Sequence, residues 1–502
     1  MRVVSCLSAA LIGAAFVAGC GTSIDDDAAG ASSGAGAGGA EATGSSSSYV
    51  PPPPPGTGGS NGAACGWAKR FGDASEQNGF TVAVAPSGDI AVGGVYAGAL
   101  DFGAGPLAEN TSGGLDLFVA RFTSDGSLVY GRSIASTDAE QILVASAPNG
   151  DTYVFGALTD FADLGGGARV DATTAQYDAF LARLDAAGDV VFVERIPDAN
   201  GAPIDRQPGG LAVAPSGDVF LWGLETTGDD DFHVYVDRLT ADGAVVWSRT
   251  ASLVDDVLLL TPGFGTAVAL PSGGVAISFT YAADLGDSSV DFGDGVSADV
   301  AAGHSAAFVT AFDDAGTPLF THAFSDATNA DGPIGYGLGI AVDAAGTLFG
   351  VGYYDGTVDI GTGPMTGAPT ATFVAALGAD GAPTRATNLP GAAIGVVATG
   401  PDGRVFVAGM CEGTCDLAGT HVDASEGDPL IVAEIDGAGA VVKGAAFGPG
   451  DAGAAAMAID ATGAVVIAGE VDGSVDICGA DLFSEGDVDV LVARFPAIPT
   501  GD

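Results

Sequence analysis

From about residue 66 to the end, the chain alternates short apolar runs with tight polar turns, and one such pattern occurs seven times. Its first half is an apolar run, a turn carrying glycine, and a second apolar run. FTVAVAPSGDIAVGG (80–94) and GLAVAPSGDVFLWG (210–223) show it most clearly, and further copies span 143–156, 266–279, 339–352, 396–409 and 456–469. The turn glycines are Gly88, Gly150, Gly217, Gly273, Gly346, Gly403 and Gly463, about one every 62 residues. Self-similarity at that period predicts stacked supersecondary units.

Each unit has a second half, again two apolar runs around a glycine turn: DLFVARFTSDGSLVYGRSI (116–134), DAFLARLDAAGDVVFVERI (178–196) and counterparts at 233–251, 306–324, 371–389 and 430–448. Glycine and aspartate tolerate positive φ, so Asp-Gly between β-rich runs signals a hairpin. One unit is therefore four short antiparallel strands, and radial repetition of such units makes a β-propeller. The seventh second half, VDVLVARFPAIPTGD (488–502), has no room for a fourth strand. Text matching that strand stands instead before the first copy, at Gly66 to Gly72, and resembles VVWSRTA (245–251). An N-terminal strand that completes the last blade closes the ring and leaves no open sheet edge. The expected fold is all-β: a seven-bladed propeller of four-stranded antiparallel blades, closed by residues 66–72.

The repeats resemble the bacterial seven-bladed β-propeller repeat family, with its P-S-G-D turns and its D-x-F-V-A-R-L-D-x-D-G third strands. The resemblance covers roughly 66–502 and implies the fold. Propellers host many unrelated functions, so it implies no activity. The strands are nearly continuous apolar runs, which suits sheets covered on both faces. Six of seven copies place glycine six residues after the turn glycine: Gly94, Gly156, Gly223, Gly352, Gly409 and Gly469, with Phe279 the exception. Such a glycine marks a bulge or a close backbone approach.

The N-terminus has a different pattern. Arg2 precedes an apolar stretch over 3–17 that is too short for an ordinary membrane span. Val17-Ala18-Gly19-Cys20 then resembles a bacterial lipobox. That resemblance implies cleavage before Cys20, a diacylglyceryl thioether on its sulfur, and acylation (palmitate) of the new N-terminus. More than one acyl chain anchors stably. The plainer alternative is a secretory signal with an incidental cysteine. Residues 21–64, rich in glycine and serine with prolines from Pro51 to Pro55, form a tether that cannot bury enough apolar area to fold. The expected organisation is a signal peptide at 1–19, a lipidated Cys20 with its tether at 20–64, and a propeller at 65–502. Export and anchoring to the cell envelope follow. The absence of aspartate after Cys20 favours the outer membrane, by the same resemblance.

Cys411-Glu-Gly-Thr-Cys415 replaces an apolar pair that other blades carry across a tight turn, such as Tyr354 and Val358, so a disulfide is expected there. Cys65 and Cys478 both fall in the last blade and form a possible latch. Acidic residues number 63 against 15 basic ones, a net charge of −48. That balance argues against nucleic-acid partners. Solubility explains it most simply, and cation binding is the functional alternative. Long loops joining second to third strands, with the inter-blade links, share one face and gather aspartates. Asp229, Asp230, Asp231, Asp284, Asp287 and Asp294 are weak Ca²⁺ candidates, because calcium takes six to eight oxygens. None sits in a twelve-residue calcium loop. A recurring φ-Asp-φ-Gly element at Asp101, Asp163, Asp291, Asp359, Asp416 and Asp476 reads as an aspartate fixing an outer hairpin. No catalytic motif is present: the histidines are scattered and no G-x-S-x-G occurs. The expected function is a surface-anchored, monomeric binding scaffold for a protein or glycan. The alternatives are a propeller enzyme using loop carboxylates, or a structural envelope component.

Overall fold

The computed structural model describes residues 66–498, apart from 109–113, 137–140, 174–176, 198–203, 227–231, 254–264, 284–287, 294–295, 301–303, 325–338, 426, 449–450 and 478. The described strands form seven four-stranded antiparallel sheets, each paired in simple order from a first strand to a fourth. Blade 1 runs through Gln77–Val84, Ile90–Tyr96, Asp116–Phe122 and Leu128–Ile134. Blades 2 to 6 repeat this over 142–195, 205–252, 266–324, 339–390 and 392–447. Blade 7 takes Asp451–Ile459, Val465–Asp472 and Asp489–Phe495 from the C-terminal end, and its fourth strand is Trp67–Phe71. The register runs from Trp67 opposite Arg494 to Phe71 opposite Val490. The ring thus closes through the N-terminal strand that the repeat arithmetic requires.

Glycine at the sixth position past the turn has the expected cause. The first strand bulges between Gly79 and Thr81, Pro208 and Gly210, Ile394 and Val396, and Ala454 and Ala456. Opposite these bulges lie Gly94, Gly223, Gly409 and Gly469. A Cβ on Gly223 would stand 1.9 Å from the Gln207 carbonyl oxygen, so the backbones approach too closely for any side chain.

The buried apolar side chains sort into seven clusters, one at each seam between neighbouring blades. The core is therefore a ring of interfaces. A second contact repeats around it. The third residue of a fourth strand lies beneath the third-to-fourth turn of the next blade. Tyr130 packs under Gly188, Trp247 under Gly316, and Phe320 under Gly381. Gly316 has φ +77°, and a Cβ there would come within 2.7 Å of the Trp247 ring, so glycine is required on both counts. The indole Nε1 of Trp247 donates to the Asp314 carbonyl at 3.1 Å, and Arg249 Nε donates to the Gly316 carbonyl at 2.8 Å. At the closing seam Trp67 takes this place: its Nε1 donates to Ser124 O at 3.0 Å, and Lys69 donates to Gly126 O. The closing strand therefore supplies the next blade with the same support that an internal fourth strand gives.

Cations of the third strands also cross the seams. Arg121, Arg183 and Arg238 pair with Asp89, Asp151 and Asp218 of their own blades at 2.9, 2.7 and 2.6 Å. Each also reaches the next blade, at Gly150 O, Ala241 O and Asp314. Blade 6 keeps the pair with its polarity exchanged: Arg404 stands at the aspartate position and Glu434 at the arginine position, 2.5 Å apart.

Replacing Trp67 by alanine is expected to lower unfolding stability by about 2–3 kcal/mol, toward the low end for large aromatic truncations because the ring is only half-buried. Val129→Thr, on an exposed position of blade 1's fourth strand, should change it by less than about 0.5 kcal/mol. Urea denaturation of the two variants distinguishes a clasp from a passive strand, and equal effects would reject the clasp.

Candidate functional site

Six blades carry the φ-Asp-φ element, and its aspartate fixes the outer hairpin. The Asp101 carboxylate accepts from Gly103 N at 2.7 Å and Gly105 N at 2.9 Å. Asp359 does the same with Gly361 and Gly363, and Asp163, Asp291, Asp416 and Asp476 each hold one backbone N–H. The flanking apolar residues turn inward; Leu100 and Phe102, and Val358 and Ile360, are buried. In blade 6 the first of these positions is Cys415. It forms a disulfide with Cys411, Cα–Cα 6.0 Å, and both are buried in the blade 5–blade 6 seam. Cys20, Cys65, Cys478 and the aspartates at 229, 230, 231, 284, 287 and 294 lie outside the described residues. Among the described residues no cluster of three His, Cys, Asp or Glu side chains could hold a metal ion.

Blade 3 departs from the repeat. Where the first and second strands of other blades oppose Ala392 to Cys411 or Ala452 to Val471, blade 3 opposes Arg206 to Glu225. Arg206 Nη2 meets Glu225 at 2.7 Å and Nη1 meets Asp237 at 2.7 Å, with the guanidinium carbon 4.0 Å from the Tyr235 ring centroid. All four are buried, Arg206 to 1% exposure. Burial alone would disfavour the arginine's charge, but Asp237, Tyr235 and Glu225 outweigh it and hold its pKa above the ordinary value. Burial pushes the Tyr235 phenol up. A buried set of this kind is strongly destabilised by loss of one partner. It is sealed from solvent, so its role is to fill and fix blade 3.

The closing seam carries two acids displaced from their ordinary titration range. Glu470 follows Gly469 in the second strand of blade 7, where other blades place Val95, Ala157, Leu224 and Met410. Its largely buried carboxyl makes no hydrogen bond to a described residue. Burial, then the charges of Asp472, Glu76 and Asp487, push it up to about 7. Nearby Asp489 is fully buried at the start of the third strand. Burial pushes it up to about 6, although Arg70 Nη1 stands 2.9 Å away and pulls it down. Glu470 can therefore exchange a proton near neutrality.

A groove lies on the rim between blades 1 and 2, with a volume of about 640 Å³. Phe102, Leu107, Leu128 and Leu164 give it an apolar floor, and Tyr130, Arg132 and Asp163 its polar groups. Its walls are held in place. Tyr96 Oη donates to the Ala108 carbonyl and accepts from Ser133 Oγ at 2.8 Å. Leu107 N donates to Leu100 O at 2.8 Å, and Ala135 and Asp163 exchange reciprocal backbone bonds of 3.0 Å across the seam.

Glu470 and Asp489 bind more protons folded than unfolded between about pH 4 and pH 7. The stability they contribute is therefore full at low pH and is lost as pH rises through 6 to 7. His322, pushed down by burial, acts in the opposite sense below its ordinary value of 6.5. Subtracting a Glu470→Gln variant isolates Glu470. The variant is expected to raise Tm at pH 8 by about 1–3 °C and to leave it within about 1 °C at pH 5. Thermal unfolding at both pH values checks this, and an equal shift at both would remove the titration.

No family model matches the chain, and no curated protein matches it. Several solved structures are similar. A protein of unknown function from Dyadobacter fermentans is 11% identical, covering 86% of this chain and 98% of its own, with TM-score 0.43. The Dos1 propeller is 9% identical over 88% and 97%, TM-score 0.39. The WD40 domain of fission-yeast SCAP is 9% identical over 86% and 98%, TM-score 0.35. At these identities the likeness concerns fold and carries nothing about activity.

Proposed function

We propose that the chain is a lipoprotein of the cell envelope that presents its seven-bladed propeller as a binding scaffold. The observation that carries this reading is the run Val17-Ala18-Gly19-Cys20 at the end of a short apolar stretch, followed by a glycine-, serine- and proline-rich tether. That tether leads in sequence into Trp67–Phe71, the strand that closes the ring. Two acyl chains or more at Cys20 would hold the protein stably at a membrane surface.

The charge distribution supports a scaffold that rejects nucleic acid. Every lysine and arginine among the described residues is engaged with a carboxylate or a carbonyl. Arg70, Arg195 and Arg494 serve buried aspartates, Lys443 serves Glu434, and Arg249 and Arg385 serve backbone oxygens of the next blade. The surplus carboxylates are left to set the surface field, which repels polyanions.

Mass spectrometry of the mature protein is expected to show an N-terminus at Cys20 bearing diacylglycerol and an additional acyl chain. Cys20→Ala should abolish incorporation of labelled palmitate and release the protein from membranes. A mature N-terminus elsewhere without acyl mass, or labelling that survives the substitution, would overturn the anchor.

A further inference from the structure

We propose that the groove between blades 1 and 2 is a binding site for an aliphatic carboxylate, a fatty-acid-like amphiphile whose chain lies on the apolar floor and whose carboxylate meets Arg132. The inference deepens the scaffold reading by naming a ligand class, and it does not depend on the lipid anchor.

Three observations converge. First, the groove has the size of a small-molecule site, about 640 Å³. Its floor is contributed by Phe102, Leu107, Leu128 and Leu164, with the Tyr130 ring alongside. Second, its walls are preformed. Asp101, Tyr96 and the Leu107–Leu100 backbone bond fix the blade 1 hairpin, and the Ala135–Asp163 bridge fixes the blade 2 hairpin against it.

Third, among the described residues Arg132 is the one cation lining the groove, and it forms no ion pair with a described carboxylate. Nη1 donates to Leu164 O and Nη2 to Gly188 O, both at 2.6 Å. These two carbonyls orient the guanidinium, yet they take only two of its five N–H groups. Arg121, Arg183, Arg206, Arg238, Arg404 and Arg494 face acids, and of the arginines that meet carbonyls only, Arg132 is the one that lines the groove. An oriented, unneutralised guanidinium beside an apolar floor is complementary to a carboxylate with a hydrocarbon tail. The net charge of −48 does not defeat this, because screening over about 8 Å at physiological ionic strength leaves the local pair in control. Among the described residues Asp163 is the one acid lining the groove. Its Oδ1 is held by Gly165 N at 2.8 Å, so the carboxylate head must lie on the Arg132 side, and the Asp163 charge weakens its binding.

The test is calorimetry with dodecanoate, dodecanol and dodecyltrimethylammonium on the full chain carrying Cys20→Ala. Dodecanoate is expected to bind one to one, and the neutral and cationic analogues at least about tenfold more weakly, which is about 1.4 kcal/mol. Asp163→Asn keeps the acceptor for Gly165 and should tighten dodecanoate binding several-fold. Arg132→Gln should weaken it at least tenfold. Because Arg132 also ties blade 1 to blade 2, Leu107→Asp on the half-buried hairpin provides an independent loss of binding without touching that tie. Equal affinity for dodecanoate and dodecanol, no saturable binding of dodecanoate, or binding unchanged by both Arg132→Gln and Leu107→Asp would each overturn the proposal. Acylation at Cys20 is read separately, so a failure of the groove and a failure of the anchor are distinguishable.

Discussion

Everything in this molecule depends on one blade leaning on the next. The buried apolar side chains lie at the seams, and each sheet covers its two faces only by having a neighbour on each side. Burial of apolar area is the dominant favourable force in folding, and here none of it belongs to a blade alone. The aromatic-on-glycine contact follows from the same constraint. At the rim of four seams a flat ring, Trp67, Tyr130, Trp247 or Phe320, closes the gap under a glycine turn with no room for a Cβ. At the one described joint that does not follow chain order, Trp67 does what Trp247 does at an internal seam.

The same arrangement decides where the few cations go. A chain with 63 acids and 15 bases cannot spend bases on the surface if its seams need them. The third-strand arginines bridge their own blade's aspartate and the next blade's turn, and fourth-strand cations bind the turn carbonyls beyond. Blade 6 shows that the pair is selected as a pair: with the acid and base exchanged, the contact survives. Arg132 meets carbonyls of the next blade as Arg249 and Arg385 do, and what sets it apart is its place on the groove at the rim between blades 1 and 2.

What could be read in advance was whatever repeats. Four strands per unit, seven units, the displaced closing strand and the hairpin aspartates all announce themselves as columns in the aligned copies. The Cys411–Cys415 disulfide was legible because two cysteines replace an apolar pair of known geometry. The seam contacts were not read, although Tyr130, Phe192, Trp247 and Phe320 recur at one position. Their partners lie more than fifty residues ahead, in the next repeat, and only closure of the ring puts them together. Glu470 and the Arg206–Glu225–Asp237 set were legible only as polar exceptions in apolar columns. Their burial comes from packing against neighbouring chain, which no single column reveals. The groove left no trace at all, because its shape comes from two hairpins of different length set side by side.

The closing strand also has a mechanical meaning. The polypeptide ahead of Trp67 is continuous with the outermost strand of blade 7, so tension on that segment reaches the ring at its only non-sequential joint. Trp67 to Phe71 run antiparallel to Val490 to Arg494, and a pull along the strand axis loads these five residue pairs together, in shear. A pull across the axis would load them one after another, like a zipper. The direction in which the chain is held therefore sets whether the fastening is strong or weak, and the indole seated under the neighbouring turn is the first contact to feel the load.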